Sequence, residues 1–359
     1  GTTAFLAAEI LGISYFAFAK AAFIPALLYY FALFVTVDLY ARKHNLKGIS
    51  REKAGSNKGI WRQWYLFTPL VFLVLMLSVF QFTITKAGVY TIAFTVLLVM
   101  INKENRLNWE RLKQFLLGVA AGAIPVGIAC AIVGVIIATV IGSGLSFRMS
   151  SMLVYLANGQ IMVLLLLTMV VSIILGMGVP TTAAYLVLAV IVAPAMVKLG
   201  VQPLAAHLFV FYFGVISNIT PPVALAAYAA AGIAKCNPNK AGYRAFRLAI
   251  SGFLLPFMFV MNPVLLMQGE WYRIILGIIS AMFGVYCLSC TMEKYAFKWN
   301  ISIIEQIILF ITAILLIDSR IWTDIVGYGC AAAIILFHYL KDKKNNNRDT
   351  HKFDVCGNA

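Results

Sequence analysis

The chain has 359 residues, of which 62% are hydrophobic and 11% are charged, and its mean hydropathy is +0.91. Soluble globular domains carry about 25% charged residues, so this composition excludes a soluble domain and predicts an integral membrane protein. The 28 basic and 13 acidic residues would indicate a nucleic-acid-binding protein only if the basic residues gathered on one soluble face.

Apolar windows of near-spanning length recur along the chain and predict an all-α, polytopic membrane protein. Between residues 150 and 234 the pattern becomes irregular. The predicted spanning helices cover residues 17–40, 64–84, 87–101, 115–141, 244–268, 272–290, 301–317 and 321–340.

The positions of the basic residues follow this topology. If the segment after Trp64 runs outward and later segments alternate, six Lys and Arg residues fall outside and all the others fall in predicted cytoplasmic loops. The six are Lys20, Lys86, Arg148, Lys198, Arg273 and Arg320. This bias fits the positive-inside rule, so the net charge reflects membrane orientation and predicts no nucleic-acid partner.

The segments outside the apolar windows receive simpler interpretations. Residues 41–63 are rich in Lys, Arg, Gly and Ser and predict a cytoplasmic connector, and residues 341–359 predict a disordered tail. Residues 108–115 are expected to form an amphipathic arm along the membrane. Glu9 is a candidate functional residue because it interrupts an apolar segment, and a position near the outer surface would make it ordinary.

The first irregular segment predicts a re-entrant helical hairpin over residues 160–197. Gln160 to Leu175 would form a helix of about 24 Å, short for a hydrocarbon core of about 30 Å. The sequence GMGVPTT then breaks the helix, with Gly176, Gly178 and Pro180 at the turn and Thr181 and Thr182 available to cap the returning half. The alternative is one kinked helix from Gln160 to Val197, which would overshoot the bilayer.

A second break follows at residues 217–222. The apolar run from Leu204 to Ile216 ends at Ser217, Asn218 and Thr220, and the pair Pro221–Pro222 cannot donate backbone hydrogen bonds. Proline also disfavours the α conformation at the residue before it. We therefore expect a crossover between two half-helices, with a simple structural kink as the alternative.

Paired helix breaks of this kind build ion and substrate sites in secondary transporters. From Met149 to Ala234 the only formally charged residue is Lys198, joined by His207, so no carboxylate is available there for proton transfer. Backbone, Ser, Thr and Asn oxygens suit a hard, singly charged cation such as Na⁺. The predicted Na⁺ ligands are Gly178, Thr182, Ser217, Asn218 and Thr220.

Other titratable residues are not assigned to the predicted ion or substrate site. His207 is expected to be a packed or interfacial histidine. Cys287 and Cys290 lie within an apolar helix and are expected to be buried structural thiols, with no metal or cofactor assigned to them.

The stretches LGMGVPTTAAYLVLAVIVAP, PLAAHLFVFYFGVISNITPPVALAAYAAAGIA and the basic loop with Arg244 resemble the large membrane subunit of TRAP (tripartite ATP-independent periplasmic) transporters. The form it is most similar to fuses the large and small membrane subunits in one chain. The resemblance covers roughly residues 1–268 and is strongest over 170–256. It implies an elevator-type symporter with two inverted repeats, driven by Na⁺ and fed by a periplasmic substrate-binding protein, usually of the TAXI type.

On this resemblance, residues 1–40 are the end of the first repeat, 115–268 the second repeat and 269–340 three extra transmembrane helices. The first repeat's own hairpin and crossover are expected to precede Gly1. A weak internal repeat aligns AFLAAEILGI (4–13) with ALAAYAAAGI (224–233).

The sequence therefore predicts a Na⁺-coupled permease of the bacterial or archaeal inner membrane that imports small organic acids and is not an enzyme. A stand-alone divalent-anion symporter is the first alternative, which a neighbouring binding-protein gene would exclude. A polytopic membrane enzyme such as a lipid transferase is the second, but it would need grouped acids, histidines or metal ligands.

The charge asymmetry generates a topology prediction. A cysteine introduced at Asn57 or Asn346 should be protected from an impermeant thiol reagent in intact cells, because both positions are expected to be cytoplasmic. A cysteine at Gly269 should be labelled. The reverse pattern of labelling would contradict the whole arrangement.

Overall fold

The computed structural model describes residues 2–46, 48, 64–80, 82–101, 108–296, 299–316, 322–334 and 336. The described chain is built from helices with one short β-ribbon, in which β1 (Tyr295–Ala296) pairs antiparallel with β2 (Trp299–Asn300). The helices are α1 (Thr2–Ile10), α2 (Tyr15–Lys43), α3 (Thr68–Ser78), α4 (Ile84–Ile101), α5 (Trp109–Gly142), α6 (Leu145–Ala157), α7 (Ile161–Gly176), α8 (Thr181–Ile191), α9 (Ala193–Lys198), α10 (Pro203–Ile216), α11 (Leu225–Ala234), α12 (Pro238–Ala249), α13 (Leu255–Met261), α14 (Trp271–Glu293), α15 (Ile303–Leu315) and α16 (322–334).

Four helical stretches among the described residues are long and apolar enough to cross a membrane. A fifth arises if α5 and α6, which are bent by 72°, count as one broken span. This architecture confirms the predicted all-α, polytopic membrane fold. The four stretches are α2, Thr181–Lys198, Pro238–Met261 and α14.

Several predicted boundaries differ from the structure. The arm expected at residues 108–115 is the first part of α5, which is continuous to Gly142 and begins with Asn108 accepting a hydrogen bond from the Arg111 amide. An apolar run begins at Phe115 within the same helix, so the helix continues beyond the predicted arm. The sequence did not predict the bend after Gly142. There Gly144 adopts φ +67° and is the N-cap of α6.

The connector 41–63 beyond residue 48 and the tail 341–359 lie outside the described residues. Glu9 is exposed in α1.

The described residues divide into two compact units, each with its own core. The first comprises residues 1–20 and 48–226. Its centre is formed by α7, α8 and α10, which pack against one another. The large side chains that are fully buried there include Leu164, Leu165, Tyr185, Leu188, Phe209 and Phe213. Both predicted helix breaks lie in this unit.

The second unit comprises residues 21–47 and 227–359. Its interior contains a cluster of three hydroxyl groups, none of them exposed, on α2, the 3₁₀ turn Ile250–Leu254 and α14. The Thr36 Oγ1 lies 3.0 Å from both Ser251 Oγ and Ser289 Oγ, and 2.7 Å from the Ala32 carbonyl oxygen. Such buried hydroxyls join membrane helices where apolar contacts give little directional preference.

The buried Glu293 at the end of α14 forms a second polar contact point in this unit. One carboxylate oxygen lies 3.7 Å from an Arg247 guanidinium nitrogen. The Lys43 Nζ donates to the Glu293 carbonyl oxygen at 2.6 Å. Basic side chains from α2 and α12 therefore compensate the C-terminal end of α14, where the helix dipole is negative.

The helix α15 is shorter than the full span predicted at residues 301–317, whereas the second predicted span, 321–340, lies partly outside the described residues. α15 has 13 residues and is about 20 Å long, which is shorter than a hydrocarbon core of about 30 Å. A Cβ built on Gly284, near the middle of α14, would lie 3.2 Å from Leu316 Cβ. α15 therefore ends against the middle of α14, and only α14 reaches spanning length among the described residues of this region.

This close approach generates a stability prediction. Gly284→Leu should destabilise the protein by about 1–3 kcal/mol, because the new side chain would collide with Leu316 and with the Ala313 carbonyl oxygen at 3.4 Å. Gly329→Leu in α16 is the matched control, since a Cβ there meets nothing within 4 Å. Melting temperatures of the two purified variants test this, and equal values would show that α14 and α15 are not in contact at Gly284.

Candidate transport site

The predicted hairpin break forms between two separate helices. α7 ends at Gly176 and α8 begins at Thr181. Gly178 has φ +76°, a conformation that side chains other than glycine rarely adopt. Pro180 occupies the N-cap of α8 with φ −54° and ψ 143°. Residues 160–197 are therefore not the single kinked helix that was the alternative.

The expected capping role of Thr181 and Thr182 is wrong. Both are first-turn residues of α8, because Pro180 takes the cap position, and Pro180 makes no side-chain hydrogen bond to the helix. Thr181 is exposed, whereas Thr182 is half-buried and its Oγ1 lies 3.2 Å from Thr3 Oγ1 on α1. Sequence reasoning gave Thr3 no role. The weak internal repeat, however, aligns Thr3 with Val223, the residue that directly follows the crossover.

The predicted crossover also forms. α10 ends at Ile216, residues Ser217–Ile219 make a 3₁₀ turn, and α11 begins at Leu225. Thr220 has φ −97° and ψ 124°, the extended conformation predicted from the proline that follows it. Pro221 and Pro222 then separate this residue from α11.

The polar side chains of the crossover point back to the last turn of α10. Ser217 Oγ donates to the Gly214 carbonyl oxygen at 2.7 Å, and Thr220 Oγ1 donates to the Ile216 carbonyl oxygen at 2.9 Å. Both side chains are buried. Asn218 is half-buried, and its Nδ2 lies 3.4 Å from the Val215 carbonyl oxygen. Since each hydroxyl uses its hydrogen on a carbonyl, its oxygen lone pairs can still accept a hydrogen bond or bind a cation.

The two breaks meet directly. A Cβ built on Gly176 would lie 2.6 Å from Ser217 Oγ and 3.0 Å from Ser217 Cβ. A Cβ on Gly178 would lie 3.4 Å from Val223 Cγ1. Gly176 is thus required for close packing and Gly178 for its backbone conformation, and together they place the hairpin turn against the crossover.

The structure brings together part of the predicted site, which includes the hairpin-turn residue Gly176 and some of the predicted Na⁺ ligands. Gly176, Gly178 and Ser217 lie at the contact between the breaks, and Thr220 follows on the same turn of chain. Thr182 faces Thr3. The oxygens at the contact belong to hydroxyl and backbone groups and are neutral. The charged Lys198 lies with its Nζ 4.4 Å from the centre of the Phe147 ring.

Sequence reasoning missed a row of buried polar residues on α7. Thr168, Ser172 and Gly176 follow at intervals of four and share one face of the helix. Thr168 Oγ1 is hydrogen-bonded to the Leu164 and Leu165 carbonyl oxygens. The buried Ser172 Oγ has no hydrogen-bond partner among the described residues, so it is available one turn before the contact. The four-residue spacing was the signal that would have found it.

The remaining singled-out residues are packed. His207 Nδ1 lies 2.9 Å from the hydroxyl oxygen of the buried Tyr185, which joins α8 to α10. Cys287 and Cys290 are buried free thiols in α14.

Comparison with known proteins identifies one family. The family model described as "DctM: Tripartite ATP-independent periplasmic transporter, DctM component" matches residues 1–272. The match includes both helix breaks and ends at the start of α14. No curated protein and no solved structure matches the chain in these comparisons.

The contact between the breaks is tested by Gly176→Ala. The added methyl group would overlap the Ser217 side chain, so the variant should be destabilised by about 1–3 kcal/mol. Adding Ser217→Gly should recover part of this loss, because it removes both atoms that the methyl group meets. Melting temperatures are compared with those of Gly134→Ala in α5, where a Cβ meets nothing within 4 Å. If Gly176→Ala is as mild as this control, the two breaks do not touch.

Proposed function

We propose that this chain, which belongs to the DctM component family of the tripartite ATP-independent periplasmic transporters, couples Na⁺ entry to the import of small organic acids. Family membership and the apolar helices make it a multi-pass protein of the inner membrane. It is the permease component of a transporter that works with a periplasmic substrate-binding protein, in a family of transporters and not of enzymes.

The observation that carries the proposal is the close approach of Gly176 to Ser217. Two interrupted helices expose backbone groups that a bilayer cannot hydrogen-bond, and such groups are tolerated only where protein, water or a ligand meets them. In secondary transporters these positions are where ions and substrates bind. The meeting of both breaks at one place therefore favours a transport site over two unrelated kinks.

Neutral oxygens at this contact support Na⁺ as the coupling ion. The proposed ligands are the Gly178 backbone and the oxygens of Thr182, Ser217, Asn218 and Thr220. A hard, monovalent cation binds such oxygens without a carboxylate. Ser172 Oγ, one turn before Gly176, adds a buried hydroxyl to the same side of α7.

The start of α8 supports an anionic substrate. Helix N-termini carry a partial positive charge and attract carboxylates. α8 begins with Thr181 and Thr182, shortly after the hairpin turn that contacts the crossover, and its N-cap is a proline, which supplies no acceptor side chain to the first turn. We therefore assign the substrate carboxylate to this end of α8.

The remaining features of the proposal come from the resemblance to fused TRAP permeases. They are a binding protein of the TAXI type, two inverted repeats and elevator movement of the transport site. The additional helices α14, α15 and α16 extend past the family match at residue 272, which supports a chain longer than the large subunit alone.

The Na⁺ site is tested by Thr220→Val. This change keeps the shape of the side chain and removes a ligand oxygen, so the Na⁺ concentration for half-maximal uptake should rise roughly 5- to 150-fold, or about 1–3 kcal/mol. Uptake is measured with the full-length permease in proteoliposomes with its binding protein, using radiolabelled dicarboxylates and keto acids at varied Na⁺ concentrations.

Ser151→Ala in α6 is the control for hydroxyl loss outside both breaks. Expression and melting temperature are recorded for each variant, to separate binding from folding. If Thr220→Val lowers the melting temperature but leaves the Na⁺ dependence unchanged, Thr220 is a structural residue and the coupling ion binds elsewhere.

A further inference from the structure

Three helical stretches of spanning length in the second unit have charged ends that meet at one place. The Lys43 Nζ, at the end of α2, donates to the Glu293 carbonyl oxygen at the end of α14. An Arg247 guanidinium nitrogen of α12 lies 2.9 Å from the Met292 carbonyl oxygen and 3.7 Å from the Glu293 carboxylate. The charged ends of α2, α12 and α14 are therefore at the same level.

This level marks the edge of the apolar part of the second unit. No charged residue occurs between Arg247 and Met261, the end of α13, and none occurs between Arg273 and Glu293 in α14. Charged side chains at the ends of spanning helices lie in the headgroup region of the bilayer. The basic residues at this level therefore lie among phospholipid headgroups, on the side of the membrane predicted to be cytoplasmic.

The carboxylates at this level are few and already have basic partners. α12 contains no acidic residue. Asp38 is the acidic residue of α2, and it pairs with Arg42 at 2.7 Å. Glu293 is the acidic residue of α14, and Arg247 is its ion-pair partner. Any further basic side chain at this level is left without an acidic partner.

Two such basic side chains lie next to each other. The exposed Arg244 of α12 donates from one guanidinium nitrogen to the Tyr40 hydroxyl at 2.8 Å, and its guanidinium lies 4.3 Å from the centre of the Tyr40 ring. Tyr40 and Lys43 are three residues apart and share one face of α2. Among the described residues, neither Arg244 nor Lys43 has a carboxylate within 4 Å. These two cations are named here the Lys43–Arg244 pair.

We propose that the Lys43–Arg244 pair binds the phosphate groups of anionic phospholipids. Basic side chains between spanning helices on the cytoplasmic side of a membrane attract anionic headgroups. A guanidinium has five N–H donors and binds phosphate oxygens strongly, so the donors that Arg244 does not use on Tyr40 can bind a phosphate. Tyr40 also holds the guanidinium in place, which lowers the entropic cost of binding. This inference does not depend on the proposed transport of Na⁺ and organic acids.

The competing interpretation is that the pair has a structural role alone, because cations near the C-terminal ends of α2 and α14 also stabilise the helix dipoles. Arg244→Gln separates the two interpretations. Glutamine keeps a donor for Tyr40 but removes the charge that attracts a phosphate. A structural role predicts the same loss of stability with every lipid, whereas a lipid site predicts loss of the response to anionic lipid.

The experiment measures the melting temperature of the purified full-length permease in detergent while phosphatidylglycerol or phosphatidylcholine is added. Phosphatidylglycerol should raise the melting temperature of the wild type more than phosphatidylcholine does. Arg244→Gln and Lys43→Gln should each raise the half-saturating phosphatidylglycerol concentration about 5-fold or more, and the double variant should lose the difference between the two lipids. Sodium phosphate at the same phosphate concentration should have no effect, and stabilisation equal to that by phosphatidylglycerol would contradict a lipid site.

Arg273→Gln is the matched control, because Arg273 also contacts a tyrosine, Tyr272, but at the opposite end of α14. It should respond to phosphatidylglycerol as the wild type does. Native mass spectrometry, which counts the phosphatidylglycerol molecules retained by each protein, should show fewer on Arg244→Gln than on Arg273→Gln and needs no melting transition. If both proteins retain equal numbers and respond equally, the Lys43–Arg244 pair binds no anionic lipid.

Discussion

The need to satisfy every backbone hydrogen bond inside a bilayer governs this structure. A continuous helix meets that need by itself, so each interruption must be compensated by neighbouring groups. At the crossover, Ser217 and Thr220 donate to carbonyl oxygens of the preceding turn. At the hairpin turn, Gly176 allows Ser217 to approach more closely than any side chain would permit. The two interruptions are therefore stabilised by their contact, which is also the place where we propose that the transported ion and substrate bind.

Much of this arrangement could be predicted from local sequence. Pro221 dictates the extended conformation of Thr220, and GMGVP cannot continue a helix, so both breaks were identified with their residues. The assignment of caps failed because Pro180 itself occupies the N-cap, leaving Thr181 and Thr182 inside the helix. The pairing of Thr182 with Thr3 depends on tertiary packing between segments 179 residues apart, for which the weak internal repeat was the only indication.

The C-terminal helices show a different limit of sequence reasoning. Apolar windows measure length and hydrophobicity, and both windows after residue 300 pass as spans. The position of one helix along its neighbour, however, depends on close contacts such as the one between Gly284 and Leu316. Hydropathy also treats Asp324 as a minor interruption, whereas the structure brings it into hydrogen-bond contact with Ser280 on α14.

The three hydroxyls inside the second unit, those of Thr36, Ser251 and Ser289, can distribute their protons in more than one way. Thr36 carries one hydroxyl proton but lies within hydrogen-bonding distance of two acceptors, the Ala32 carbonyl oxygen and Ser289 Oγ, while Ser251 can supply a proton to it. Ser289 can in turn donate to the Val285 carbonyl oxygen. These hydroxyls can therefore exchange donor and acceptor roles by rotating their O–H bonds, with no movement of the helices. The same helix positions are therefore compatible with more than one hydrogen-bonding pattern, which a junction made of one donor and one acceptor would not allow.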